Sequence, residues 1–316
     1  MLPHRSRSED WPALRYEDWA PTCTALHLWA QIVGKARLAQ TPWINHSWQA
    51  TFYLTARGIT TSTIPYGART FQVDFDFIAD TLRIATSDGG VATLALVPAS
   101  IADFHGRFRA ALAELGIEID MHDRPNEMPE AIPFAEDKAS RPYDADAVRR
   151  FWGAMLLVER VLVRFRSGFL GKVSPVHVFW GGLDMAVTRF SGRRAPRHPG
   201  GAPHLPNAVN VEAYSHEVSS AGFWPGGSGA AAAFYSYAYP EPQGYRTAAV
   251  RPAAAVFDTK LGLFILPYAA VRGAPDPETT LLEFLQSTYE AAANLGAWNR
   301  AELDCELGEP GVPRLV

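Results

Sequence analysis

The chain has 316 residues, 47% hydrophobic and 20% charged, with a net charge of -4. This is an ordinary globular composition, which excludes a disordered chain, a collagen and a coiled coil. The balance of 29 Lys and Arg against 33 Asp and Glu argues against non-specific binding to nucleic acid or acidic membranes.

At roughly 150 residues per domain the length allows about two domains, or one large one. Only four of the basic side chains are lysine, so Lys35 and Lys172 are unusual choices. Cys23 and Cys305 make neither a disulfide framework nor a zinc motif and read as reduced thiols in a cytoplasm. The longest apolar run, Phe151 to Val163, is broken by Glu159 and Arg160 and is too short to span a bilayer. The first ten residues are polar, have no hydrophobic signal core, and read as a flexible lead-in ending at Trp11-Pro12.

Four stretches predict helices. Thr22 or Thr24 opens the first, which runs to about Ala39 with Leu26, Trp29, Val33 and Ala36 at helical spacing. His27, Gln31 and Lys35 form a polar line on it, by default a solvated stripe and otherwise an edge facing a cleft. Ser100 and Asp103 form a capping box before Phe104, Phe108, Leu112 and the stop at Gly116. Asp144 opens a long helix to about Phe169. Asp276-Pro277 opens the last, which ends at Gly296.

Between the first two helices the period changes to two. Trp48, Ala50, Phe52 and Leu54 alternate with polar residues, as do Phe71, Val73, Phe75 and Phe77; these are antiparallel strands with one polar face. After the third helix, Val176–Trp180, Leu183–Phe190, Glu212–Ser219 and Ala232–Tyr239 read as strands. Val256–Asp258 and Leu263–Leu266 form a hairpin. Gly58–Gly67 and Gly182–Gly192 sit at matching points of the two halves. The fold class read from this is α+β: two tandem helix–antiparallel sheet–helix repeats related by a pseudo-two-fold axis. The expected divisions are a lead-in (1–21), a first repeat (22–124), a Pro-rich linker (125–142), a second repeat with an arginine-rich loop (143–298) and a tail (299–316).

Met185 to Val211 has no acidic residue but holds Arg189, Arg193, Arg194, Arg197, His198 and His204. Guanidinium groups on a glycine-containing loop fit an anion. Strand parity turns His177 and Phe179 away from Val176, Val178 and Trp180. It also puts His216 on an apolar face with Tyr214 and Val218, and Glu217 with Ser215 and Ser219. The polar faces of the halves would then bring His177, Asp184, Thr188, Ser215 and Glu217 towards Tyr53, Gln72, Asp74 and Asp76.

Several motifs resemble a bacterial family known only as a domain of unknown function: Leu26–Lys35, Asn45-His46, Ile64–Gly67, Asp74–Asp76, Ser174–His177, Arg189–Arg194, Ser215–Glu217 and Gly222–Gly226. The resemblance runs from about Trp11 to Trp298 and implies a complete bacterial protein, with no activity, cofactor or catalytic residue to carry over.

The leading expectation is a cytoplasmic small-molecule enzyme acting on an anionic substrate, with no nucleic-acid or membrane partner. His177 is the expected acid/base, with Glu217, Asp184 or Asp74 orienting it. Arg193, Arg194, Arg189 and Lys35 are the expected anion contacts, Tyr53 faces the cleft and Trp224 covers it. One alternative is a binding protein without turnover. Another is a divalent-metal enzyme using His216, His177 and His46, although no HxH or HExxH spacing is present.

Overall fold

The first helix, α1 (Ala20–Gln40), is buried almost all round. It carries apolar residues on most faces, and its polar line turns inward: Gln31 and Lys35 are both buried. The default reading of that line as a solvated stripe is therefore corrected. The computed structural model describes residues 8–128, 130–201, 204–227 and 229–314; the start of the polar lead-in and the last two residues of the tail lie outside them.

After α1 the chain makes 3-10 turns over Asn45–Ala50 and enters a first antiparallel sheet. Its strands are β1 (Tyr53–Thr55), β2 (Gly58–Thr60), β3 (Ile64–Tyr66), β4 (Arg69–Asp76), β5 (Thr81–Thr86) and β6 (Val91–Ala95). They pair in the order β1-β2-β4-β5-β6, with β3 against the start of β4. In β4 the expected alternation holds, with Phe71, Val73 and Phe75 buried and Gln72 and Asp74 half-buried. A short strand β7 (Ala99–Ser100) leads into α2 (Ile101–Glu114), where Ser100 Oγ accepts from the Asp103 amide at 3.0 Å. β7 pairs with β8 (Ser140–Arg141).

The second half opens with α3 (Ala145–Ser167), capped by Asp144 accepting from the Ala147 amide at 3.0 Å. β9 (His177–Phe179), β10 (Asp184–Arg194), α4 (Asn207–Ala213), β11 (His216–Trp224), β12 (Ala233–Tyr239), β13 (Val256–Asp258) and β14 (Leu263–Pro267) follow. The sheet order is β13-β14-β12-β11-β10-β9. α5 (Tyr268–Arg272), α6 (Pro277–Leu295) and α7 (Arg300–Leu303) complete the chain. Asp276 caps α6 by accepting from the Thr279 amide.

The architecture is thus mixed helix and antiparallel sheet, 36% and 26% of the described residues, which is the α+β class. The sheets meet edge to edge, where Phe52 and Val178 exchange backbone hydrogen bonds of 2.8 and 2.9 Å. Apolar residues of both halves join in one core.

Two predicted strands are corrected. Trp48 and Ala50 do not begin a strand. His46 (φ 63°) and Ser47 (φ 58°) are left-handed and turn the chain. The carbonyls of Gln49 and Ala50 are taken by Arg37 Nε and Trp180 Nε1 at 2.6 and 2.7 Å instead of by a neighbouring strand. Similarly, Glu212 and Ala213 end the helix α4, and the strand starts only at His216.

Candidate functional site

The second sheet is covered on both faces, and one face holds the site. α3 and α6 pack on the face that carries Met185, Val187, Arg189, Ala221 and Phe223. The residues between them in sequence point the other way, because successive strand residues alternate faces. Asp184, Ala186, Thr188 and Phe190 on β10, Val218 and Ser220 on β11, and Tyr235 and Tyr237 on β12 floor a cavity of about 570 Å³. The 3-10 segment, the Lys35 end of α1, residues 122–127 and α4 enclose it. Its walls are strongly aromatic: Trp43, Trp48, Phe179, Trp180, Phe190, Tyr214, Tyr235 and Tyr237.

Strand register sets the polar floor. Gly222 stands between Ala186 on one side and Tyr235 on the other. A Cβ there would lie 2.5 Å from the Tyr235 hydroxyl, so only glycine lets the ring cross β11. The hydroxyl thereby reaches Asp184 and donates to Oδ2. One row further along, Thr188 and Ser220 share a hydrogen bond of 2.8 Å, and Tyr214 and Tyr237 share one of 2.9 Å.

Glu127 supplies a second carboxyl. The residue is exposed at the mouth of the cavity, and its backbone is left-handed (φ 58°). Its side chain reaches inward, with Oε1 only 2.1 Å from where a Cβ on Gly181 would stand. The preceding residue fixes this segment: Asn126 N donates to Gln31 Oε1 at 2.7 Å, and Gln31 Nε2 donates to Asn126 O at 2.9 Å. His27 Nε2 donates to the Gly181 carbonyl at 2.7 Å.

These surroundings perturb titration. Burial, then the neighbouring Asp184 charge, pushes Glu127 up to about 7. Burial pushes Asp184 up to about 6 against the lowering effect of the Tyr235 hydrogen bond. Burial pulls Lys35 down to about 8, with Asp123 opposing. Its Nζ donates to Asn126 Oδ1 and lies 5.5 Å from the Trp180 ring centre. Four of the residues with left-handed backbone—His46, Ser47, Glu127 and His204—line this one cavity, and such strain is characteristically concentrated at functional sites.

Of the residues singled out from sequence, Asp184, Thr188, Lys35, His46 and His204 line the cavity. His177 has the same facing as Asp184, since it pairs with Ala186. It lies behind Phe179 (ring centres 4.4 Å apart), 1% exposed, with neither ring nitrogen hydrogen-bonded, and burial pulls it down to about 4. His46 Nδ1 donates to the Ala213 carbonyl, and burial pulls this ring also to about 4.

The rest are elsewhere, and the expected cleft between the two polar faces is corrected accordingly. Glu217 lies on the opposite face from Asp184, because it is Val218 and Ser220 that pair with Phe190 and Thr188 on the cavity side. There Glu217 accepts from Ser191 and from Arg193 at 2.7 Å, and Arg193 also donates to the Gly296 and Ala297 carbonyls beyond α6. Arg194 is exposed at the end of β10. Arg189 is fully buried on the helix side, its guanidinium 3.6 Å from the Phe165 ring centre and 4.3 Å from that of Tyr289, donating to the Phe165 carbonyl.

Trp224 packs on Gly227 beyond the cavity. Asp74 accepts from Gln72 at 2.8 Å on the first sheet, and the Tyr53 hydroxyl accepts from Thr51 at 3.3 Å. His216 Nδ1 lies 3.1 Å from Ser215 Oγ. Among the described residues no three His, Cys, Asp or Glu side chains converge as metal ligands, so His46, His177 and His216 do not form a set. No helix of the described residues is long and apolar enough to cross a membrane.

Glu127, Tyr214, Tyr235 and Tyr237 were not identified from sequence as site residues. The tyrosines did leave a signal, since Tyr235, Tyr237 and Tyr239 recur at every second position of one strand. Residues 11–305 match the model of a family described as "Family of unknown function (DUF5996)". No curated protein and no solved structure matches the chain.

Proposed function

The chain belongs to this family of unknown function, and from the cavity we propose that it is a small-molecule enzyme working by acid–base catalysis with Glu127 and Asp184. The observation that carries this reading is the carboxyl pair itself: two acids on the wall of one aromatic cavity, both held towards neutrality. Perturbed acids in a cleft are what proton transfer near pH 7 requires.

The two environments divide the roles. Tyr235 donates to Asp184 and favours its ionised form, so Asp184 is the base. Glu127 keeps its proton to higher pH and is the acid. Between about pH 6 and 7 the pair therefore carries close to one proton, mostly on Glu127. The aromatic walls fit an apolar or aromatic substrate. Arg193 and Arg194, which carried the expectation of an anionic substrate, stand outside the cavity.

We also propose that the halves are a pseudo-two-fold repeat. Tyr53 and His177 each open the first strand of their sheet, and these strands meet antiparallel through Phe52 and Val178. The departures are at the outer edge, where β13 lies beyond β14, and at β3, which pairs with β4 off the line of the first sheet and has no counterpart in the second. A reducing cytoplasm fits the unpaired Cys23 and Cys305.

The test of the enzymatic reading is a turnover screen of apolar metabolites. Glu127→Gln and Asp184→Asn should each lower kcat about 10²–10⁴-fold. A substrate turned over equally well by both variants would remove the carboxyl pair from the mechanism.

A further inference from the structure

Lys35 is a buried lysine in a chain that otherwise prefers arginine. Only four of 29 basic side chains are lysine, and this one is 3% exposed on the wall of the cavity. An arginine could not release its proton, whereas a lysine taken out of water can. The amine is held by the side-chain oxygen of Asn126 rather than by a carboxylate.

The neighbouring residue shapes its surroundings. A Cβ on Gly34 would stand 2.5 Å from the Trp180 ring, so glycine lets the indole lie against α1 beside the Lys35 amine. Trp180 is fixed in turn by its hydrogen bond to the Ala50 carbonyl. Asn126, on which the amine rests, directly precedes Glu127, so one clamped segment carries both the amine's partner and the acid.

We infer that Lys35 is a covalent nucleophile that forms an imine with a carbonyl substrate, an aldehyde or ketone bearing an apolar or aromatic group. This rests on the acid–base reading of the cavity and names its substrate class. The neutral amine attacks the carbonyl carbon, a C–N bond forms, and the carbonyl oxygen takes a proton. That proton is the one the attacking nitrogen gives up. The resulting carbinolamine then loses water: the nitrogen lone pair forms the C=N bond, the C–O bond breaks, the leaving oxygen takes a proton from the Glu127–Asp184 pair, and the iminium N–H returns a proton to that pair. Amine and carbonyl become imine and water, with no oxidant or reductant consumed. Burial, which brings Lys35 down to about 8, supplies a useful fraction of neutral amine near pH 7.

The test is reductive trapping of the full chain with limiting benzaldehyde and sodium cyanoborohydride near pH 7, followed by peptide mapping. Lys35 should acquire the benzyl group at least tenfold faster than the exposed Lys138 and Lys260. Labelling that follows exposure, with Lys35 slowest, overturns the inference, and this comparison needs no variant. Lys35→Arg should remove the fast label, and a fast phase that persists in it also overturns the inference.

The two readings fail separately. Selective labelling of Lys35 at a rate unchanged in Glu127→Gln and Asp184→Asn keeps the nucleophile and removes the carboxyls. Carbonyl turnover that needs the carboxyls but survives Lys35→Arg does the reverse.

Discussion

Replacing Asp184 by asparagine should stabilise the protein, and only at pH values where the aspartate is ionised. Burial raises this carboxyl from its ordinary 3.8 to about 6, so the folded chain holds a proton that the unfolded chain has lost. Stability therefore falls as pH rises from about 4 to 6, and the cost stays constant above that. At about 1.4 kcal/mol for each tenfold, the rise corresponds to roughly 3 kcal/mol. Asp184 is only half-buried, so solvent screening brings the expected cost to roughly 1–3 kcal/mol.

Asparagine keeps an oxygen to accept from Tyr235 and carries no charge. Denaturant unfolding of wild type and Asp184→Asn at pH 4 and pH 8 reads the difference. The variant should gain about 1–3 kcal/mol at pH 8, a few degrees in Tm, and little at pH 4. A variant less stable than wild type at pH 8 would refute the reasoning, because the ionised Asp184 would then be stabilising the fold.

Gly181→Ala should fold normally, since the new methyl meets the movable end of Glu127, and should lower turnover at least about 100-fold by displacing that carboxyl; full activity would show that the position of Glu127 is immaterial. Arg193→Ala should lose about 1–2 kcal/mol in denaturant unfolding through its bonds to Glu217 and the end of α6, with turnover unchanged. Unchanged stability with weakened ligand binding would return Arg193 to the site. His177→Phe should leave activity intact and hold or raise Tm, because neither ring nitrogen has a hydrogen-bond partner; a loss beyond about 2 kcal/mol would reveal one.

Helix starts were legible because they are local: Ser100, Asp144 and Asp276 each bond an amide three residues on, and spacing alone predicts them. Strand parity placed Asp184 and His177 on one face but put Glu217 with them. The sheet is covered on both faces, so Val218, Ser220 and Gly222 do not differ in polarity from Ser219 and Ala221 as a half-solvated strand would. The turn at His46 and Ser47 was hidden because their left-handed backbone is imposed by tertiary contacts, among them Glu212 accepting from the His46 amide at 2.9 Å.

Glu127 was the most deeply hidden. It lies in a Pro-rich stretch that reads as a linker, and its position is set by its neighbour Asn126, which is clamped by Gln31, 95 residues before Asn126, and by the His204 carbonyl. The arginine-rich loop stood out in composition, yet Arg189 and Arg193 are spent on aromatic rings and helix ends.

The central claim is that Glu127 and Asp184 keep a proton into the neutral range. Carbon-detected NMR titration of their side-chain carboxyls, assigned with Glu127→Gln and Asp184→Asn, measures this directly. The account predicts transitions near 7 and 6 in the wild-type chain, with the Glu127 transition moving down when Asp184 is neutralised and the Asp184 transition staying near 6 in Glu127→Gln. Two transitions near 4, each unaffected by loss of the other, would contradict it.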